Sequence, residues 1–404
     1  MRNKSAWGQI SLIAIVGLCG WGCTIKSGGD TGTGGDTGSG GAPTSGSGGT
    51  TGSGGTTSGS GGTTTGGGCP APTPAQDATG PGTAAGSTQG PCDIYAADGG
   101  PCVAAHSTVR ALYGAYNGPL YQVRKAAPDC TPKDIYPLAA GGFANSADQE
   151  TFCGTGACTI SIIYDQSGKG NHLTHAPGGG AKTTPDNEAK ANGVSATFGG
   201  HKVYGIHIVQ GIGYRNNTPS GTATGDNPET EYMVVGGSLF NGSCCFDYGN
   251  METTSRDDGE GTMEAVYFGT CTIWGKGKDN GPWIMGDLEN GLWAGNTSPY
   301  DMNTPVTYPY ITGMVKGDAA GKNHWTIKVG NAQAGTLTTP FDGPRPSSRY
   351  NPMRKEGAIG LGTGGDNSNG AQGNFFEGVM TATYASSSAD DAVQANIVAA
   401  YGSQ

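Results

Sequence analysis

Two short stretches of this 404-residue chain carry acids in positions suited to chemistry. In "GPWIMGDLENGLW" (281–293), Asp287 and Glu289 are two residues apart. On a strand, both side chains would lie on one face, about 6–7 Å apart. In "GLGTGGDNSNGAQG" (360–373), Asp366 lies in a loop rich in Gly and Asn between two predicted strands. Cleavage of a glycosidic bond needs two carboxyl groups, one as nucleophile or base and one as acid. The alternatives are a solvated strand face for the pair and an Asx-turn for Asp366.

Other catalytic groupings are missing from the sequence. The six histidines are scattered, and His172 and His175 in "NHLTH" have no acidic or cysteine neighbours. There is no GxSxG nucleophile motif, no P-loop and no zinc-ligand spacing. Glu264 and Glu377, which also fall within strand patterns, are interpreted as structural. The sequence therefore favours the carboxylates and predicts neither a metal nor an organic cofactor.

Adjacent cysteines, Cys244 and Cys245, form the second unusual feature. Neighbouring Cα atoms are about 3.8 Å apart across a trans peptide, below the usual disulfide range of about 4.4–6.8 Å. A bond between them would therefore be strained, and such strain tends to occur at functional sites. The small, rigid ring could support one face of a sugar. From the residues alone, the favoured interpretation is that the two cysteines do not bond to each other and that each pairs elsewhere, with Cys130 or Cys271.

Apart from Cys19 and Cys23 in the leader, nine cysteines remain, and in the oxidising compartment expected of an exported chain they should form disulfides. The pairs Cys92–Cys102 and Cys153–Cys158 each bracket a short loop and predict local bridges. The residues alone suggest no obvious partner for Cys69. The same holds for the two cysteines at positions 130 and 271.

The leader and the composition predict an exported protein that does not bind nucleic acid. The formal net charge of −10 disfavours nucleic acid and an anionic membrane surface as partners. Residues 1–23 read as a signal peptide, with a short apolar run (10–18) and Cys23 as the candidate lipidation site. Residues 24–90, rich in Gly, Ser, Thr and Pro, are predicted to be a flexible linker. The folded domain is predicted at 91–404, at the cell-envelope surface or outside the cell, with a lipid anchor as its only membrane contact.

The domain's pattern is that of short strands separated by Gly, Asn, Asp or Pro, with helical periodicity at only two places. The predicted strands are 159–166, 231–237, 263–269, 283–293, 324–330, 357–362 and 375–384. The predicted helices are 107–116 and 390–401, the second with Val393, Ile397 and Tyr401 on one face. Many strands without βαβ alternation predict an all-β fold, a jelly-roll β-sandwich in one domain.

Several blocks of the sequence also stand in a recognisable order. They are "GPCDIYAADGGPCVAAHSTVRALY", "IIYDQSGKGNHLT", "GYRNN", "CCFDYGN", "GPWIMGDLEN", "NPMRKEGAIGLGTGGDNSNGAQG" and "FFEGVM". Together they resemble the catalytic domain of glycoside hydrolase family 54, the α-L-arabinofuranosidases, over essentially all of 91–404. The resemblance implies a concanavalin-like jelly-roll sandwich. It also implies hydrolysis of terminal α-L-arabinofuranosyl groups of arabinan or arabinoxylan with retention of configuration.

The resemblance also implies roles for individual residues. Glu289 corresponds to the nucleophile and Asp366 to the general acid/base, which retention would place about 5–5.5 Å apart. Cys244–Cys245 corresponds to a vicinal disulfide that packs against the arabinose, which reverses the expectation from the residues alone. The positions that match sugar-holding residues are Trp274, Asp287, Asn290 and Gly365. Cys92–Cys102 and Cys153–Cys158 match the family's other two bridges.

The resemblance has departures and leaves alternatives. Gly291 stands where an Asn is common in the family, and the C-terminal β-trefoil that fungal relatives carry is not expected here. The leader and the linker resemble those of bacterial surface lipoproteins. The main alternative is a non-catalytic, lectin-like sugar-binding sandwich, which would not need two acids. Another is a furanosidase or xylosidase of different specificity. The expected partner is an arabinose-containing plant polysaccharide, bound by a monomer.

Overall fold

The structure, a computed structural model, describes residues 68–76, 89–318 and 322–402. The predicted signal peptide, Cys23 and most of the predicted linker lie outside the described residues. The chain divides by its internal contacts after Thr63, and the described residues all belong to the second unit, Thr64–Gln404. None of the helices among them is both long and apolar enough to cross a bilayer.

Strands make up most of the regular secondary structure of the described chain. The first nine are β1 (Cys102–Ser107), β2 (Tyr121–Lys125), β3 (Pro132–Ile135), β4 (Cys158–Ile163), β5 (Thr174–His175), β6 (Val194–Phe198), β7 (His201–Ile208), β8 (Tyr214–Asn216) and β9 (Glu229–Gly236). The others are β10 (Asp247–Met251), β11 (Glu264–Gly269), β12 (Trp283–Asp287), β13 (Leu292–Trp293), β14 (Tyr310–Gly317), β15 (Trp325–Asn331), β16 (Ala334–Gly343), β17 (Ala358–Leu361) and β18 (Gly373–Thr381). The helices are α1 (Pro91–Ala97), α2 (Ser146–Cys153) and α3 (Ser387–Tyr401), with one 3-10 turn at Ser348–Tyr350.

Two large antiparallel sheets build the domain. The eight-stranded sheet has the order β16-β15-β14-β9-β18-β7-β6, with β1 also paired to β18. The seven-stranded sheet has the order β13-β12-β11-β10-β17-β8-β5, and a small third sheet has the order β3-β2-β4. Strands adjacent in the sheets are often distant in the chain, as expected of a sandwich. The all-β sandwich with few short helices is confirmed.

The two large sheets pack face to face. Tyr248 of β10 contacts Phe375 of β18, with ring centroids 5.3 Å apart. Gly286 of β12 leaves room for a ring, because a β-carbon there would lie 2.6 Å from Trp325 of β15. The core between the sheets is apolar and aromatic, as in other sandwiches.

The strand register determines which residues of the seven-stranded sheet face away from this core. One row of paired residues crosses five strands: Arg215, Gly360, Gly249, Ala265 and Asp287. Directly paired residues point to the same face of a sheet, and their chain neighbours point to the other. The chain neighbours Tyr248 and Gly286 face the core, so Asp287 and Arg215 lie on the outer face.

Of the two predicted helices, one is confirmed and one is wrong. α3 covers the predicted 390–401, and its predicted apolar face is fully buried. Residues 107–116 are not helical, since Ser107 ends β1 and turns follow. The Ser107 hydroxyl accepts hydrogen bonds from the backbone of Val109 (3.0 Å) and Arg110 (3.1 Å). Such side-chain bonds compete with helix formation, and the guanidinium of Arg110 is held by Glu377 at 2.7 Å.

A segment of the predicted linker lies against the domain. Residues 68–76 are joined to it by a disulfide between Cys69 and Cys130. The backbone N–H of Ala75 donates to the hydroxyl of Tyr164 at 3.0 Å. The predicted boundary at residue 91 therefore leaves out a stretch that is covalently tied to the β3-β2-β4 sheet region.

Three further disulfides occur among the described residues. They are Cys92–Cys102, Cys153–Cys158 and Cys244–Cys245. Since Cys130 pairs with Cys69, the interpretation that pairs it with one of the adjacent cysteines is wrong. Cys271 is buried in the same apolar cluster as Cys245.

Candidate active site

The strand that carries Asp287 is shorter than predicted. β12 ends at Asp287, and the chain turns back to β13 through a bond from the Leu288 N–H to the Gly291 carbonyl (3.0 Å). Glu289 and Asn290 lie in this turn with φ values of +57° and +53°. The predicted single strand face for Asp287 and Glu289 is therefore wrong. Left-handed backbone is uncommon for residues other than glycine, and it concentrates at functional sites.

The turn is held by Asp287 itself. The backbone N–H of Glu289 donates to Oδ1 of Asp287 at 3.1 Å. Both side chains are almost fully buried, with 5% of Asp287 and 8% of Glu289 exposed. The two acids are thus close together, although a turn rather than a strand brings them there.

The loop after β17 carries Asp366. Its Oδ1 accepts a hydrogen bond from the backbone N–H of Ser368 at 2.9 Å, which is the Asx-turn considered from the sequence. Its backbone carbonyl accepts from the N–H of Ala181 at 3.0 Å. Asp366 is half-buried, so the Asx-turn fixes the loop while leaving the second carboxylate oxygen for other contacts.

Gly365 brings this loop against the turn of Glu289. A β-carbon on Gly365 would overlap Oε2 of Glu252 and lie 2.5 Å from Oε2 of Glu289. Only a residue without a side chain allows this approach. The loop of Asp366 and the turn of Glu289 therefore meet at one point.

The vicinal disulfide lies beside these acids. Sγ of Cys245 is 3.2 Å from Oδ2 of Asp287, and a β-carbon on Gly364 would be 3.4 Å from the same sulfur. Trp274 and Cys244 are half-buried against the apolar cluster that contains Cys245. The structure thus brings the disulfide, an indole ring and the carboxylates to one place.

The sulfurs do not make a metal site. The possible ligand atoms of Cys244, Cys245 and Asp287 lie within 4.8 Å of one another. Metals bind cysteine as the thiolate, however, and these two sulfurs are bonded to each other. The donor set is therefore unsuited to a metal ion.

Asn290 lies at the exposed edge of the site. Its Nδ2 donates to Oδ1 of Asp257 at 3.1 Å, and its carbonyl accepts from the Tyr350 hydroxyl at 3.1 Å. A β-carbon on Gly291 would be 2.5 Å from that hydroxyl and would overlap the indole nitrogen of Trp293. The Asn that is common in the family at this position would thus require Trp293 and Tyr350 to move.

Three charged residues of the site are not predicted by any local pattern of the sequence. Glu252 follows β10, Asp247 begins it, and Arg215 lies on β8. All three are buried, with exposed fractions of 0% for both acids and 2% for Arg215. No local motif identifies them. The available signal was that charged residues occur within or beside apolar strands, where burial is costly unless it has a use.

Arg215 is the cation of this acidic cluster. Its guanidinium donates to the Gly364 carbonyl at 3.0 Å, to the Asn217 side chain at 2.6 Å and to the Glu252 carbonyl. Burial lowers the pKa of Arg215 to about 10, while the charges of Glu252 and Glu289 act to raise it. Arg215 thereby joins β8 to the loop of Asp366 and to the segment that follows β10.

The buried acids titrate far from their usual range. Burial, and next the charge of Glu252, raises the pKa of Glu289 well above its ordinary value. Burial likewise raises the pKa of Asp287 to about 7 and the pKa of Glu252 to about 7. Burial, and next the charge of Asp287, raises the pKa of Asp247. Acids with raised pKa values in a desolvated cluster are typical of catalytic sites.

The other strand acids, Glu264 and Glu377, lie away from this site in ion pairs. Glu264 is 3.2 Å from Lys355, and Glu377 is 2.7 Å from Arg110. Both acids are almost completely buried. Their structural interpretation agrees with these contacts.

Comparison with known families matches residues 91–402 to the family described as "Alpha-L-arabinofuranosidase B, catalytic". The chain belongs to this family. The match begins at the first residue of the predicted domain and ends at Gly402, directly after α3. It therefore includes both loops of the site.

Curated relatives of the family are similar over the same region. A probable α-L-arabinofuranosidase B of Aspergillus fumigatus is 57% identical over 317 residues, which is 77% of this chain and 62% of the relative. An α-L-arabinofuranosidase of Hypocrea jecorina is 55% identical over 325 residues, 78% of this chain and 64% of the relative. The chain thus spans less than two thirds of the length of these relatives. Both are fungal, so they give no support to a bacterial lipoprotein-like version.

Solved structures of the family share the fold. One is a Glu-to-Gln mutant of a GH54 α-L-arabinofuranosidase soaked with 4-nitrophenyl α-L-arabinofuranoside. It is 52% identical, with a TM-score of 0.75, and the match covers 78% of this chain and 66% of that one. Another, an arabinofuranosidase complexed with arabinofuranosyl-α-1,2-xylobiose, is 51% identical with the same TM-score and coverage.

Proposed function

We propose that this protein is a retaining, exo-acting α-L-arabinofuranosidase that removes terminal arabinofuranosyl groups from arabinan or arabinoxylan side chains. One observation carries the proposal. Glu289, buried in a left-handed turn, meets the loop of Asp366 through Gly365, and Asp287, which holds this turn, lies against the vicinal disulfide. Membership of the family supports it.

The proposed reaction has two displacement steps. The carboxylate of Glu289 attacks the anomeric carbon while Asp366, as acid, gives its proton to the leaving oxygen. Asp366 then takes a proton from water, whose oxygen displaces Glu289 and releases arabinose. Retention predicts about 5–5.5 Å between the two carboxyl groups.

The other site residues hold the sugar in this proposal. The Cys244–Cys245 ring and the indole of Trp274 give apolar surfaces beside the acids. Asp287 and Asn290 offer polar groups to sugar hydroxyls, and Gly365 lets the backbone approach closely. Arrangements of this kind fix a substrate in one orientation next to the reacting groups.

The first experiment is hydrolysis of 4-nitrophenyl α-L-arabinofuranoside by the full chain. We expect turnover that falls at least about 1,000-fold in Glu289→Gln, because the nucleophile is lost. Glu260→Gln, a partly exposed acid paired with Arg349 outside the cluster, is the matched control and should retain activity. A folded wild type without turnover on this compound or on a panel of other glycosides would favour the lectin-like alternative.

A second experiment tests the acid/base and the stereochemistry. In Asp366→Ala, the second step should be slow, and azide should restore turnover by replacing the activated water. The glycosyl azide should keep the configuration of the substrate, as retention requires. A product of inverted configuration would refute the two-step mechanism.

Another specificity is the second candidate. A relative named arabinofuranosidase/β-xylosidase, from Trichoderma koningii, is 54% identical over 325 residues. The same two acids would serve β-D-xylosides. Comparing kcat/KM for 4-nitrophenyl α-L-arabinofuranoside and β-D-xyloside decides between them, and we expect the arabinofuranoside to be preferred.

The proposal extends to location and assembly. We expect a monomer that acts on plant polysaccharides outside the cell, held at the envelope by a lipid on Cys23. In a bacterial host, labelled palmitate should enter the wild type and Cys19→Ser but not Cys23→Ser. Equal labelling of the two variants would rule out Cys23 as the anchor, and an unlabelled wild type would indicate simple secretion.

A further inference from the structure

Glu252 is a buried acid that the proposed reaction does not use. It directly follows β10 and has no exposed surface. Its Oε1 accepts a hydrogen bond from the Thr262 hydroxyl at 2.6 Å, and its backbone carbonyl accepts from Arg215. Oε1 is thus fixed on one side, which directs the other oxygen away from Thr262.

Oε2 of Glu252 faces the candidate nucleophile. A β-carbon on Gly365 would overlap this oxygen and lie 2.5 Å from Oε2 of Glu289. The two carboxyl oxygens therefore border the same small space. Glu289 is fixed there as well, because its backbone donates to Asp287.

Two carboxyl groups that face each other without bulk water cannot both be ionised at low cost. They hold one proton between them, as acids in other like-charged pairs do. The other charged groups around Glu289 are Asp287 at the end of β12, Asp366 in the loop after β17, Asp257 in the loop after β10, and Arg215 on β8. Since Arg215 is the only cation in this set, a proton is needed to balance the acids.

We infer that Glu252 is a positioning residue that shares one proton with Glu289 and thereby sets the pH at which Glu289 becomes a carboxylate. The inference rests on the proposed function of Glu289 as nucleophile. The negative charge that remains on the pair holds this proton to a higher pH than Glu289 alone would hold it. When the proton leaves the pair for solvent, Glu289 becomes the carboxylate that attacks the sugar.

This role explains why a deeply buried nucleophile ionises late. Release of the proton to solvent leaves a further buried negative charge beside Glu252, so it occurs only at higher pH. When Glu289 forms the ester with the sugar, its charge is lost, and the repulsion from Glu252 is lost with it.

The pH profile of kcat/KM tests the inference in Glu252→Gln. The amide is similar in shape and can donate to Glu289 but carries no charge. We expect the acidic limb to move to lower pH by about one unit or more, because the like charge beside Glu289 is gone. Glu356→Gln, whose carboxylate binds the neighbouring Thr253, is the matched control and should leave the limb in place.

The outcomes separate this inference from the proposed function. A folded Glu252→Gln that loses rate or stability while the limb stays in place would overturn the shared proton. A wild type without turnover would instead overturn the proposed function. In that case the pair is still tested by infrared spectroscopy, which follows the protonated carboxyl groups as the pH is changed. Wild type should show one titration step near neutral pH, and Glu252→Gln and Glu289→Gln should each remove that step. Persistence of that step in both variants would refute the inference.

Discussion

Asp287 links the turn of Glu289 to the vicinal disulfide. Its Oδ1 accepts the backbone N–H of Glu289 at 3.1 Å, and its Oδ2 lies 3.2 Å from Sγ of Cys245. One buried carboxyl group thus contacts both the candidate nucleophile and the surface proposed to support the sugar. The geometry of the two depends on the same side chain.

Asp287 should also make the protein less stable as the pH rises. Its folded pKa is about 7, against about 3.9 in an unfolded chain. Between these values the native state holds a proton that the unfolded state has lost. The free energy of unfolding therefore falls as pH rises through this window, and the loss is complete above the folded pKa.

Replacing Asp287 by Asn should remove this dependence. In wild type, Asp287 should lower the free energy of unfolding by roughly 2–4 kcal/mol from the acidic to the neutral end of the window. The variant should not show this loss. Urea denaturation at both ends measures the difference. Asp301→Asn, on the exposed surface, should show no such change. If the free energy of unfolding of Asp287→Asn changed with pH as that of wild type does, the raised pKa of Asp287 would be contradicted.

Gly365 should not tolerate even one methyl group. In Gly365→Ala the β-carbon would overlap Glu252 and press on Glu289, so the carboxyl groups must move apart. A displacement of this kind costs about 100-fold in kcat/KM. Gly370 is the matched control, because the nearest atom would be 3.2 Å from a β-carbon placed there. The activity of Gly370→Ala should stay within a few-fold of wild type. Equal activities in the two variants would contradict the close approach.

Asp390 of α3 should be essential for stability. It lies 2.7 Å from both Lys316 and Lys328 and is fully buried. Asp390→Ala would leave two buried cations without their counter-ion, at a cost of about 3–5 kcal/mol. Asp391→Ala, at the exposed neighbouring position, should cost little. Thermal unfolding of the two variants is the measurement, and similar melting temperatures would argue against the buried ion network.

The Cys69–Cys130 disulfide should affect stability without affecting turnover. It closes a stretch of 61 residues, so replacing both cysteines by serine should cost about 2–4 kcal/mol through the entropy of the unfolded chain. The Cys153–Cys158 disulfide joins cysteines only 5 positions apart, so its removal should cost less stability. The kcat/KM for a small substrate should be unchanged in the first double variant. A large loss of activity would show that residues 68–76 act on the site.

Local patterns predicted much of the fold. Helix α3 was predicted from the spacing of Val393, Ile397 and Tyr401, because these residues are neighbours on one helix face whatever the rest of the chain does. The helix expected at 107–116 failed because Ser107 binds the following backbone and Arg110 binds Glu377, which is 267 residues away in the chain. A local sequence pattern carries no information about a partner at that distance.

By itself, the sequence determined the strand-rich class, the position of α3, and the motifs that contain Asp287, Glu289 and Asp366. Only the tertiary structure decided that β12 stops at Asp287, that Arg215 shares its sheet face, and that Glu252 faces Glu289 across Gly365. The physical reason is that burial and charge act through space. Their effects on a carboxyl group depend on strand register and on the approach of distant loops, which are not encoded in the spacing of residues along the chain.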